Sequence, residues 1–152
     1  MHVSKTLDYA VRSLSFIGSK GEGRVCYMKE ISEKENIPLS YLAKVMRVLV
    51  RDGIVRSIVG PDGGYVLTRK PDEITLMEIY EAVMGRLKII DCLDEGFKCY
   101  LEKNCSQILL WHRLQNSIAD VLKNTKLSEI IKRERSTRSE RNVEYKRVKS
   151  KR

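Results

Sequence analysis

The chain has no apolar run near the ~20 residues needed to cross a bilayer as a helix, and only two histidines, His2 and His112. The first shortage argues against a helical membrane span. The second leaves little material for acid–base catalysis. No internal repeat, phosphate-cradling glycine motif or nucleophile–base pairing is visible either, so an enzyme is a poor reading. The opening Met1-His2-Val3-Ser4-Lys5 lacks the basic-then-apolar layout of a secretory leader. The expected location is the cytoplasm.

Positive charge is plentiful: the formal net charge is +9 over 152 residues. Its distribution matters more than its size. Residues 132–152 hold ten Lys/Arg against Glu134, Glu140 and Glu144, which is +7 of the +9 and leaves only +2 for the rest. A basic tail of this kind either clings to nucleic acid or is a solvated end. With almost nothing apolar in it, it is expected to be disordered.

The remainder reads as a series of short elements. Ser4 is a plausible cap for a helix from about Lys5 to Gly18, with Leu7, Ala10, Val11, Leu14 and Ile17 on one face. A helix over Met28–Asn36 ends at Ile37-Pro38. A longer one follows to Asp52, with Leu42, Val45, Met46 and Leu49 as its inner face and Gly53 as its stop. Two helices joined tightly, the second amphipathic and basic, form a helix-turn-helix over about 28–52. The β-prone runs 54–59 and 65–68 flank Gly60-Pro61-Asp62-Gly63-Gly64, giving a hairpin that makes the wing of a winged helix.

Thr75-Leu-Met-Glu78 is a capping box that opens another helix, closed by Gly85. Periodicity is lost over 86–105. From Ser106 to about Asn124 a long helix carries Leu110, Trp111, Leu114, Ile118, Val121 and Leu122, a stripe suited to a dimer seam. Leu127–Ile131 supplies one further turn that packs back. The expected fold is thus mainly α: a winged helix-turn-helix domain over 1–85, a loop and long C-terminal dimerisation helix over 86–131, and the tail from 132.

Four cysteines stand at 26, 92, 99 and 105. In a reducing compartment they stay thiols unless a metal or redox role claims them. The last three, at C-x6-C-x5-C in an irregular loop, can converge on one centre. By themselves they suit zinc and iron–sulfur chemistry about equally, or a metal-free thiol switch. Cys26 reads as a small packed hydrophobe.

The stretches Ile37-Pro-Leu-Ser-Tyr-Leu-Ala-Lys-Val-Met46 and Gly53-Ile-Val-Arg-Ser-Ile-Val-Gly-Pro-Asp-Gly-Gly-Tyr-Val-Leu67 resemble the IscR/NsrR family of bacterial winged helix-turn-helix regulators. The resemblance runs from Met1 to about Ile131. The opening Leu7-Asp-Tyr-Ala-Val-Arg12 is closer to the nitric-oxide-sensing branch. The resemblance implies a homodimeric repressor or activator on a pseudo-palindromic site in double-stranded DNA. It also implies an iron–sulfur cluster (2Fe–2S or 4Fe–4S) on Cys92, Cys99 and Cys105 that senses nitric oxide, redox or iron status. In the nitric-oxide branch an aspartate reaching across from the other subunit is the fourth ligand, and Asp8 stands at that position. The cluster-assembly branch uses a histidine three residues after the third cysteine, where this chain has Ile108. His112 reads as a surface residue, and Asp94 and Glu95 are further oxygen donors.

On the DNA side, Ser40, Tyr41 and Lys44 are expected to approach bases from the start of the recognition helix. Arg47, Arg51 and Arg56 are expected to hold phosphates, and the amides at Gly63 and Gly64 to line the wing. Val59 replaces the arginine often found before the wing's Gly-Pro, which weakens any minor-groove reading. Two alternatives remain: a thiol switch of the same fold, and a regulator that acts by binding a metabolic enzyme.

Overall fold

The computed structural model describes residues 4–61, 63–94, 96–101 and 104–137. Helix α1 (Lys5–Ser19) starts at Ser4, whose hydroxyl accepts the Leu7 N–H at 3.2 Å. That bond satisfies one of the donors a first turn leaves free. Helix α2 (Met28–Glu35) stops at Asn36, whose φ of 50° is left-handed, a conformation asparagine tolerates better than most residues. Ser32 closes the turn: its carbonyl accepts the Ile37 N–H at 3.0 Å and its hydroxyl donates to the Ile37 carbonyl at 2.7 Å.

Helix α3 (Leu39–Arg51) follows Pro38 directly. Its predicted inner face is buried, with Leu42, Val45, Met46 and Leu49 all essentially inaccessible. Gly53 ends the element with a φ of 70°. Strands β1 (Val55–Ile58) and β2 (Gly64–Leu67) then pair antiparallel, Val55 opposite Leu67 and Ile58 opposite Gly64. A third segment joins the wing: Cys26 and Tyr65 exchange two backbone hydrogen bonds, each 2.9 Å.

Helix α4 (Leu76–Met84) carries the predicted capping box. The Glu78 N–H donates to Thr75 Oγ1 at 3.2 Å, and the Thr75 N–H donates to Glu78 Oε2 at 2.8 Å. Arg69 adds a 2.6 Å bond to Glu78 Oε1. Partial burial pushes the Glu78 carboxyl up, but the bonds from Thr75 and Arg69 outweigh it and hold the pKa below its usual value.

Helix α5 (Ile108–Asn124) begins two residues later than the sequence suggests. None of its residues is buried within the chain, and Leu109, Leu110, Leu114 and Val121 are 74%, 57%, 45% and 64% exposed. Residues 127–137 are helical again. Leu127 and Ile131 return to the core shared by α1–α4 and the base of the hairpin. The tail expected to be disordered from Lys132 needs correcting for 132–137, which continue this helix. Ile131 anchors the helix in the core, and the Arg135 guanidinium donates to the Ser19 carbonyl at the end of α1 at 3.0 Å, where a cation suits free carbonyls. The rest of the tail, with Asp62 of the wing turn and Glu95, lies outside the described residues. Among the described residues no helix is long and apolar enough to cross a membrane.

Candidate functional site

The candidate recognition face comprises α3 and the wing. Ser40, Lys44 and Arg47 are exposed on α3, and Arg56 is exposed on β1. Tyr41 behaves otherwise. Its hydroxyl shares a 2.8 Å hydrogen bond with the Thr6 hydroxyl, and its ring meets Tyr9 edge-on with centroids 5.1 Å apart. The start of the recognition helix is thereby fastened to α1. Arg51 is also engaged: Nε bonds Asp52 Oδ1 at 2.7 Å, and Nη2 reaches the Ala82 carbonyl on α4 at 3.3 Å. The hydrogen bond and charge of Asp52 raise the Arg51 pKa further. Spacing along a helix shows that both residues lie near its outer face; it does not show that neighbouring helices already hold them.

Gly63 and Gly64, chosen from the sequence for their amides, have a packing reason to be glycine. A Cβ on Gly63 would lie 2.5 Å from the Ile58 carbonyl oxygen, and one on Gly64 would lie 2.5 Å from that of Cys26. The tight wing turn leaves no room for a side chain at Gly63, and the close approach of the Cys26 segment leaves none at Gly64.

The cysteine loop lies at the other end of the chain. Cys92 sits in a short 3-10 turn over Asp91–Leu93. Lys88 clamps this turn, bonding Asp91 at 3.1 Å and Asp94 at 2.8 Å. Those two carboxylates, Asp94 first, hold the Lys88 pKa above its usual value. The Ile89 N–H donates to Gln115 Oε1 at 3.2 Å and ties the loop to α5. Cys92, Cys99 and Cys105, all half-buried and unpaired, line one cleft of about 350 Å³ together with Asp94, Ile108 and His112. Among the described residues, no three of His, Cys, Asp or Glu are close enough to hold a single metal ion. The three predicted thiols therefore share a cleft without closing on a point.

Asp8 does not line that cleft. It is exposed on α1 and pairs with Arg12 at 3.4 Å, while Arg12 Nε also lies 3.6 Å from Glu35 on α2. Cys26 is fully buried at the wing's base, as its isolation in the sequence suggested. Burial pushes its thiol pKa up, Glu30 adds to this, and Lys20 and Arg24 oppose it. His112 is exposed, as sequence reasoning placed it, and it also lines the rim of the cleft. The available signal was its spacing of four from Ile108 on one helix face.

The architecture and the exposed basic helix together match a described group of proteins. A family model, Rrf2, an iron-dependent transcriptional regulator, matches residues 3–133. The chain belongs to the Rrf2 family. It is 33% identical over 133 residues to a candidate HTH-type transcriptional regulator of Aquifex aeolicus, covering 86% of this chain and 92% of that one. Its fold is similar to that of T. potens IscR (TM-score 0.65, 27% identity, 87% of each chain). It is also similar to Staphylococcus aureus CymR in its oxidized form (TM-score 0.69, 27% identity, 86% of this chain and 96% of that one). Rrf2 proteins are transcriptional regulators rather than enzymes, so this chain is a winged helix-turn-helix regulator that binds DNA.

Proposed function

We propose that this Rrf2 protein is a homodimeric repressor whose grip on a pseudo-palindromic operator is set by an iron–sulfur cluster on Cys92, Cys99 and Cys105. The observation that carries this reading is the single cleft lined by all three thiols beside the start of α5. The donor set suits the group: soft thiolates neutralise and stabilise iron–sulfide cores. A core of several irons and sulfides is also wider than one ion, so its ligands stand farther apart. The family's iron dependence points the same way. When bound, such a cluster supplies a centre that reacts with nitric oxide or oxidants.

The chain's own residues do the rest. The exposed apolar face of α5, with Leu110, Leu114 and Val121, supports pairing with a second copy. Two-fold pairing presents two recognition helices, and these read half-sites one groove repeat apart, ~34 Å. Ser40 and Lys44 face the bases, while Arg47 and Arg56 hold phosphates that fix register. The loop is fastened to the seam helix through Ile89 and Gln115. A change in the loop therefore bears on the helix that sets the spacing between half-sites. The fourth ligand is not a cysteine of the loop; the resemblance implies Asp8 of the second copy.

The test is anaerobic purification with iron and sulfide quantitation and a visible spectrum. Replacing Cys92, Cys99 or Cys105 with Ala should each abolish loading, while Cys26→Ala should keep it. Full loading in any of the first three variants overturns the assignment. A second reading, a metal-free thiol switch, is favoured by three half-buried free thiols around one cleft and by likeness to a regulator solved in an oxidized form. It predicts iron-free protein whose loop cysteines form a disulfide under mild peroxide, read by intact mass and peptide mapping.

A further inference from the structure

We infer that a cleft between the end of α1 and the segment that follows the wing is a separate effector site. Its ligand is a small metabolite with two cationic groups and one carboxylate, of the basic amino acid class. The site is independent of the cluster reading above: its lining and that of the cysteine cleft have no residue in common.

The cleft holds about 520 Å³ between the end of α1, the loop 21–23 and residues 67–73, within the range of about 300–1,000 Å³ usual for small-molecule sites. Glycines shape it. Gly18 lets α1 lie flush on its neighbours: a Cβ there would meet Ile131 Cδ1 at 2.8 Å, Pro71 Cγ at 3.2 Å and Leu67 Cδ1 at 3.3 Å. Gly21 and Gly23, both at positive φ, carry the loop outward, and a Cβ on either would meet nothing within 4 Å. Ile17, Leu67 and Pro71 give the cleft an apolar part of its lining, suited to a methylene stem.

The charged lining selects the ligand. Arg69 and Glu73 are engaged: Arg69 bonds Glu78 Oε1 at 2.6 Å and the Glu73 carbonyl at 3.3 Å, and Glu73 Oε2 accepts the Lys70 N–H at 3.0 Å. The Glu22 and Asp72 carboxylates and the Lys70 ammonium, which also line the cleft, have no partner among the described residues. Two free carboxylates and one free ammonium are matched by two cations and one carboxylate, the pattern of arginine, lysine and ornithine at neutral pH. A simple diamine leaves the ammonium unmatched, and a neutral amino acid leaves one carboxylate unmatched. The end of α1 adds to the preference, because a helix C-terminus carries partial negative charge.

The position supplies the effect. Leu67 is the last residue of wing strand β2. Thr68 Oγ1 donates to the Gly53 carbonyl at 2.6 Å, just past the end of α3, and Arg69 reaches α4 through Glu78. An occupant held against 67–70 therefore bears on the wing and on the end of α3 together. Its different affinity for the poses these elements take with and without DNA couples the two binding events.

Titration calorimetry on the full chain provides the test, with L-arginine, L-lysine and L-ornithine as probes and cadaverine and L-norleucine as controls. At least one of the three should bind saturably, once per protomer, and several-fold more tightly than either control. Glu22 and Asp72 are exposed, so Glu22→Gln and Asp72→Asn should keep the thermal unfolding of wild type while each weakens the bound probe several-fold. Saturating probe should shift the affinity for a labelled duplex, selected from a random pool for tight binding, several-fold in wild type and not in Asp72→Asn. No saturable binding of any of the three at millimolar concentration overturns the site. So does binding that both variants leave unchanged, or a control that binds as tightly. A bound probe that leaves DNA affinity unmoved overturns the effector role. Iron and sulfide loading is measured separately, so none of these results bears on the cysteine assignment.

Discussion

Replacing Gly64 with alanine tests how the wing is held. The glycine is not there for backbone freedom, because its φ is not in the left-handed region. It is there for space: a Cβ would sit 2.5 Å from the Cys26 carbonyl oxygen and 2.8 Å from Val25 Cγ1. Backbone cannot swing aside as a long side chain can, so β2 must move away from the Cys26 segment. That movement breaks both Cys26–Tyr65 hydrogen bonds, each 2.9 Å, worth about 1 kcal/mol apiece net. Overpacking beside them adds about 1–3 kcal/mol. The expected cost is therefore about 3–5 kcal/mol, a large part of a stability of about 5–15 kcal/mol. With a urea slope of about 2 kcal/mol per molar, the unfolding midpoint should fall by about 1.5–2.5 M. Gly21→Ala is the control: its φ is 104° but nothing lies within 4 Å, so only backbone strain of about 1 kcal/mol applies. A Gly64→Ala midpoint no lower than that of Gly21→Ala would refute the reasoning.

Thr75→Ala should remove one half of the α4 capping box and cost about 1 kcal/mol at pH 7, read by urea unfolding. Because the Glu78 pKa is depressed in the folded state, its contribution is complete above the unfolded value of about 4.3 and is lost as pH falls through the folded value. The gap between wild type and Thr75→Ala should therefore narrow at pH 3; a constant gap would show that the carboxylate plays no part. On a duplex of arbitrary sequence, Arg47→Ala should lower the slope of log affinity against log salt by about 0.9, one phosphate's worth. Arg51→Ala should leave that slope unchanged, since Asp52 and the Ala82 carbonyl already hold its guanidinium; an equal drop in both variants would put Arg51 on the DNA.

Local rules carried the element boundaries. Ser4, Pro38, Gly53 and the Thr75–Glu78 pair act on the backbone within a turn or so of themselves, so their effects can be read without knowing the fold. The same is true of the inner face of α3, because the 3.6-residue period puts Leu42, Val45, Met46 and Leu49 together whatever they pack against. The C-x6-C-x5-C loop announced a shared centre through residue type and nearness along the chain.

Tertiary structure alone decided which polar side chains of α3 also bond to neighbouring helices. Tyr41 and Arg51 have the chemistry of DNA contacts, but Thr6 lies thirty-five residues from the first and Ala82 thirty-one from the second. Pairings across such distances are set by how helices cross, which no local pattern encodes. Lys132–Thr137 look like solvated tail by composition, yet they stay helical because Ile131 is packed in a core that begins at α1. His112 is the exposed residue its sequence position suggested, and only the packing of the cysteine loop against α5 set it on the rim of the cleft that the three thiols line.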